Sequence, residues 1–201
     1  MLNVKFLFFA ILVLLISTFV YFSKYCYKDI DSTAKLVALA RHCSLSLSPN
    51  NTIEDPYALG IDNYAQYFIK NDNLNTSCAM INYFSNEMAS SFAQRAYYFD
   101  KQIIDHRDDY SQFVILGAGY DTRSKRFENF FTNITIFEVD LKHTQEKKKL
   151  VTDKLDWPSN VKFVDTDFNT QNLKNDLISK GYNPNLKTMF LLEGTHITNN
   201  S

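Results

Sequence analysis

The stretch Phe113-Val114-Ile115-Leu116-Gly117-Ala118-Gly119-Tyr120-Asp121-Thr122-Arg123 constrains this chain more than any other. Four consecutive apolar residues make a short strand buried on both faces, the habit of a parallel sheet. Gly117-Ala118-Gly119 then ends the strand. Glycine permits a tight turn and leaves the backbone open to a ligand. A helix is expected next, its free N–H groups directed at whatever lies over the turn. This is the first β-turn-α unit of a nucleotide-binding α/β domain. The third glycine of the dinucleotide fingerprint is absent, since Thr122 stands three residues after Gly119. A bare Gly-x-Gly leaves the ligand to be decided elsewhere in the chain.

The second half decides it. Residues 134–139 form another β-branched and aromatic run, ending in Glu138-Val139-Asp140. Asp140 stands 23 residues after Gly117, close to the spacing of about 20 at which an acid meets a ribose hydroxyl. Glu138 shares a strand face with Asp140 and is placed either to assist it or to face solvent. Residues 161–164 read as a third strand running into Asp165-Thr166-Asp167, and residues 188–192 as a fourth ending in Glu193-Gly194. Helical patterns lie between them, over 142–155 with Leu150, Val151 and Leu155 on one face, and over 171–180. Strands alternating with helices predict a Rossmann-like parallel sheet with the ligand above the strands' C-terminal ends. Gly117, Gly119, Asp140, Asp167 and Glu193 all fall there.

These motifs resemble a family. Leu-Gly-Ala-Gly-Tyr-Asp-Thr-Arg (116–123), Phe-Glu-Val-Asp-Leu (137–141) and Leu-Leu-Glu-Gly (191–194) are similar to those of the leucine carboxyl methyltransferases, as are residues 32–41 and Asp55-Pro56-Tyr57-Ala58. The resemblance spans roughly residues 32–194 and implies a class I methyltransferase that uses S-adenosyl-L-methionine (SAM). It implies that helices before the sheet fold over the cofactor, with Arg41 and Arg95 holding the carboxylate of its methionine part. An arginine fork suits a carboxylate because it donates two parallel hydrogen bonds. It further implies that Asp167-Phe168 lie beside the adenine and that Glu193 lies near the transferring methyl. Asp167 is also placed to act as a helix N-cap before Asn169-Thr170, and Asp121 and Arg123 to pair with each other.

Ahead of these elements, residues 6–22 are apolar except for Ser17 and Thr18, the short end of a bilayer-spanning helix. With no small-x-small site at Ser23-Lys24-Tyr25-Cys26, they read as an uncleaved single-pass anchor rather than a cleaved signal. Lys24, Lys28, Lys35 and Arg41 after the segment imply a cytosolic C-terminal domain. Four glycosylation sequons, at Asn50, Asn75, Asn133 and Asn199, point the other way. Three cysteines, Cys26, Cys43 and Cys78, without Cys-x-x-Cys spacing, argue against a disulfide framework, a zinc site and an oxidising compartment. A net charge of −1 and a pI near 6.4 give no electrostatic case for nucleic-acid binding. Lys147-Lys148-Lys149 is expected on a solvated helix face. The histidines show no metal spacing, no Gly-x-Ser-x-Gly elbow occurs, and no catalytic base is evident.

The chain thus divides into an anchor at 1–28, a mainly helical cap region at 29–109 and a SAM-binding domain at 110–201. A class I methyltransferase sheet has seven strands and this chain ends after the fourth, so a C-terminally truncated form with an uncovered sheet edge is expected. Three activities stay open: a SAM-dependent O-methyltransferase acting on a small-molecule carboxylate or hydroxyl, a methyltransferase of protein C-terminal leucine carboxylates, and a non-catalytic remnant.

Overall fold

The computed structural model describes residues 37, 38, 40–43, 55–58 and 74–193, all within one compact unit, Lys35–Ser201. A long helix, α1 (Leu74–Asp105), precedes strand β1 (Gln112–Leu116), the short helix α2 (Arg123–Arg126) and β2 (Thr135–Asp140). Helix α3 (Lys142–Thr152), β3 (Val161–Asp165), α4 (Leu173–Ser179) and β4 (Thr188–Leu192) follow. The four strands form one parallel sheet in the order β3-β2-β1-β4.

That order positions the site. The chain steps outward from β1 to β2 to β3, then returns to the other side of β1 for β4. The crevice at such a switch point, beyond the strands' carboxyl ends, is where open α/β sheets bind ligands. Here it opens between Leu116 and Leu192, which are in register. The Gly117–Gly119 turn flanks it on one side and Glu193 on the other.

The apolar runs sit in the sheet as their composition requires. On one face Phe113, Ile115, Ile136 and Leu191 pack with Ile103 and Phe131, and Phe99 of α1 leans on them. On the other, Val114, Phe137, Val139 and Val164 pack with Leu177 of α4. β1 lies between β2 and β4, and Phe113 and Val114 are fully buried, as a continuous apolar run predicts. β4 is an edge strand with Phe190 and Leu192 about half exposed.

Three expectations change. Helix α3 does not bury Leu150, which is 68% exposed. Its inner face is Thr144, Gln145, Lys148, Val151 and Thr152. Lys148, expected in solvent, is fully buried, because its ammonium meets Glu138 Oε2 at 2.6 Å and the Asp121 carbonyl at 2.6 Å. Glu138 is therefore neither a ribose ligand nor a solvent-facing group: it is buried, and Ser124 Oγ donates to its Oε1 at 2.6 Å.

Cys43 and Cys78 form a disulfide with Cα atoms 5.4 Å apart. The odd cysteine count concealed a pair, and the expectation of a reducing compartment loses its basis. The single-pass membrane localisation and its cytosolic domain are also withdrawn. Among the described residues no helix is long and apolar enough to cross a membrane, and residues 6–22, on which that reading rested, lie outside the described residues.

Removing one partner of a buried ion pair strands the other charge in a low-dielectric site, at about 3–5 kcal/mol. Lys148→Met should lower stability by roughly that amount, and adding Glu138→Gln should recover much of the loss, as read from urea-unfolding midpoints. A single variant as stable as the parent would show that the pair does not hold α3 to the sheet.

Candidate cofactor site

The turn after β1 places Gly117 at φ 66° and Gly119 at φ 42°. A side chain is strained at such angles, which is why the strand ends on glycines. Gly119 N–H donates to Asp140 Oδ2 at 2.6 Å and Leu141 N–H to Asp140 Oδ1 at 2.7 Å. Asp140 thus fastens the turn to the end of β2. An ionised carboxylate offers about four acceptor positions, so roughly two remain for a ligand's hydroxyls. In register with Asp140 on β3 stands Asp165, whose Oδ1 is buried without a hydrogen-bond partner. An orphaned buried acceptor costs about 1–3 kcal/mol, a penalty that a donor on a ligand removes. Nothing in the sequence pattern marked Asp165, because only burial distinguishes it from any acid after a strand.

Asp167 accepts from Asn169 N–H at 2.9 Å through Oδ1, within a turn rather than as the expected helix N-cap, which Asn172 supplies to α4; this bond holds its pKa below the usual carboxylate range. Phe168 packs half-buried against the Val164 side of the sheet. Both follow directly on β3, one strand beyond Asp140.

Opposite them lies a charge cluster built from five segments. Arg123, the last residue of the glycine motif, is only 1% exposed and faces three carboxylates: Asp121 at 2.5 Å, Asp100 of α1 at 2.6 Å and Glu193 at 2.7 Å. One turn on, Arg126 meets Asp100 at 2.7 Å. Thr122 stands where the dinucleotide fingerprint has its third glycine, and its hydroxyl donates to Asp55 at 2.6 Å. Asp55 also accepts from Arg41 Nε at 3.0 Å, while Arg41 Nη2 donates to the Tyr120 carbonyl at 2.7 Å. Arg95 Nε donates to Glu193 Oε1 at 3.0 Å, with its guanidinium 5.1 Å from the Phe92 ring centroid.

The structure therefore joins Gly117, Gly119 and Asp140 at the turn after β1, and brings Arg41, Arg95 and Glu193 into the charge cluster. Asp121 and Arg123 do pair, within a larger arrangement that sequence reasoning missed. Asp100 is 23 positions from Arg123 and carries no local signature. The one available hint was the i, i+3 spacing of Arg123 and Arg126, which puts two cations on one helical face.

Burial opposes ionisation of Asp121, yet Arg123, Arg41 and Lys148 outweigh it and hold its carboxyl far below the usual range. Arg123 is pushed the other way: burial disfavours its charge, but Asp121, Asp100 and Glu193 raise its pKa well above the normal value. Glu138 rises, because desolvation exceeds the help from Lys148 and Ser124.

A parallel α/β sheet with a glycine turn at the switch point, an acid fastened at the end of β2 and a carboxylate-arginine cluster opposite defines a Rossmann-like, methyltransferase-type cofactor fold. Comparison with known proteins gives the family. The sequence profile of leucine carboxyl methyltransferase matches residues 34–197, and the chain belongs to that family. It is also 39% identical over 85 residues to YktD of Bacillus subtilis (strain 168), which is named a candidate S-adenosyl-L-methionine-dependent methyltransferase. That match covers 41% of this chain and 28% of YktD, so it spans well under half of either protein.

Because the folded-state pKa of Asp121 is depressed, its contribution to stability is complete above the unfolded value near 3.9 and fades as pH falls below it. The stability gap between the parent and Asp121→Asn should hold constant above about pH 5 and narrow below about pH 4. Urea unfolding at stepped pH checks this; a gap unchanged down to pH 3 contradicts it.

Proposed function

We propose that this chain is a SAM-dependent O-methyltransferase whose acceptor is a small-molecule carboxylate or hydroxyl. Family membership supports SAM as the cofactor. The observation that carries the assignment to this crevice is the pairing of two carboxylates in register, Asp140 with acceptor positions to spare and Asp165 with a buried orphan oxygen. Together with the open glycine turn, they suit a ligand bearing a ribose diol. Bound here, SAM would supply a methyl group activated by its sulfonium.

The residues of the chain bind and orient. Asp140 accepts the ribose hydroxyls while keeping the turn closed beneath the ligand. Asp167 and Phe168 flank the base, the acid through its second oxygen and the ring by stacking. Of the arginines in the cluster, Arg95 suits the methionine carboxylate best: its side chain is 34% exposed, against 6% for Arg41, 1% for Arg123 and 5% for Arg126. Arg41 acts behind it, holding the Tyr120 carbonyl beside the turn. Glu193, gripped by Arg95 and Arg123, is the acid nearest the switch point. An in-line transfer to a carboxylate or acidic hydroxyl depends on alignment and exclusion of water more than on a base. Methylation of a protein's C-terminal leucine carboxylate is the second reading, favoured by the family's name.

Hydrogen bonds to charged groups contribute about 1.5–3 kcal/mol, so Asp140→Ala should weaken binding of SAM and of S-adenosylhomocysteine by roughly ten- to a hundredfold. Asp140→Asn should fall between. Arg95→Ala should weaken both but leave 5′-methylthioadenosine, which has no carboxylate, within about twofold. Calorimetric titration reads all three. A folded Asp140→Ala variant with parental affinity would falsify the ribose assignment. Methyl incorporation into a peptide ending in leucine, tested beside small carboxylates, decides between the acceptors.

A further inference from the structure

The Cys43–Cys78 disulfide has no part in the site described above, yet it touches the supports of both expected carboxylate ligands. Cys43 lies two residues after Arg41, at the end of the helical residues 40–42. Cys78 belongs to α1, the helix that carries Arg95. Cys43 and Ala40 are buried, and the half-buried Cys78 and Phe92 pack against them. Phe92 is also the ring beneath the Arg95 guanidinium. One covalent bond therefore has Arg41 on one side, reaching the Tyr120 carbonyl and Asp55, and Phe92 with Arg95 on the other, reaching Glu193.

We propose that the Cys43–Cys78 bond is a redox-sensitive positioning clamp for the carboxylate-binding end of the site. Oxidised, it keeps the Arg41 segment and the Phe92–Arg95 pair in the arrangement that receives a ligand carboxylate. Reduced, it releases them, and affinity for carboxylate-bearing ligands falls. The opening step is ordinary thiol–disulfide exchange: a thiolate of an external dithiol attacks one sulfur, the S–S bond breaks and a mixed disulfide forms. The second thiol of the reagent displaces the remaining cysteine. Both cysteines end as thiols and the reagent as a cyclic disulfide, a balanced two-electron exchange. The bond also closes a loop with a sequence separation of 35 that contains Asp55, the carboxylate shared by Arg41 and Thr122, so reduction restores the conformational freedom of the segment that supplies it.

This inference rests on the methyltransferase reading, and the test separates the two. The full chain is titrated calorimetrically, oxidised and with excess dithiothreitol, against S-adenosylhomocysteine and against 5′-methylthioadenosine. Mass spectrometry of a non-reduced digest verifies the bond. Reduction should weaken S-adenosylhomocysteine about tenfold, the scale of one charged hydrogen bond, and leave methylthioadenosine within about twofold. The Cys43→Ser/Cys78→Ser variant should match the reduced chain and ignore the reductant. Equal affinity for S-adenosylhomocysteine in both states overturns the clamp. Equal weakening of both ligands overturns it too, because it marks a bond that merely stabilises the fold. If the oxidised chain binds neither ligand, the methyltransferase reading fails and the clamp fails with it.

Discussion

The buried guanidinium of Arg123 is the interaction on which the rest of this structure depends. It reaches Asp121 in its own turn, Asp100 on α1 and Glu193 after β4, so a single side chain ties the glycine motif to the long helix and to the edge strand. Removing such a cation from water is costly, and only close opposite charge on several sides offsets it. Here the offset comes from three carboxylates, and Arg126, Arg41 and Arg95 balance the acids in turn through Asp100, Asp55 and Glu193. A hydrophobic contact tolerates sliding. A planar guanidinium held by several carboxylates does not, because its donors lie in fixed directions. The cluster therefore sets the spacing between α1, the turn and β4 in a way the apolar core alone cannot.

The sheet topology explains why this cluster sits where a ligand would bind. Reversal of strand order between β1 and β4 leaves a crevice at their carboxyl ends, and the residues just past those ends are free of ladder geometry. Polar groups concentrate there because backbone N–H groups are available to hold them. Asp140 shows the double use: two backbone N–H groups grip it, which fixes its orientation while leaving acceptor capacity over. Arg95 and Glu193 show another, each already paired with the other, so that the one solvent-accessible arginine of the cluster is preorganised rather than loose. Such preorganisation reduces the ordering a ligand must impose on binding.

Lys148 and Glu138 illustrate the limit of reading exposure from composition. A lysine triplet on a helix is normally a solvated face, yet the middle one turns inward, since Glu138 on β2 offers a buried countercharge. The same helix leaves Leu150 in solvent. The helix orients to satisfy the costlier group: an unpaired buried charge costs several kcal/mol, while one exposed leucine forgoes about 1.5–3 kcal/mol.

By itself the sequence determined the strand positions, the parallel α/β class, the glycine turn and the acid that closes it. Each of these follows from local information: an apolar run of strand length, φ angles open to glycine, and a fixed count of residues between turn and acid. It determined the family as well, through motifs made of neighbours in the chain. Only the tertiary structure decided which charges are buried and with whom: Asp100 with Arg123 and Arg126, Lys148 with Glu138, Asp55 with Arg41. Only it revealed Asp165's orphan oxygen and the pairing of Cys43 with Cys78. Those partners lie 10 to 35 positions apart. Coulombic attraction and desolvation depend on distance in space and on access of water, and neither quantity exists until the sheet has assembled.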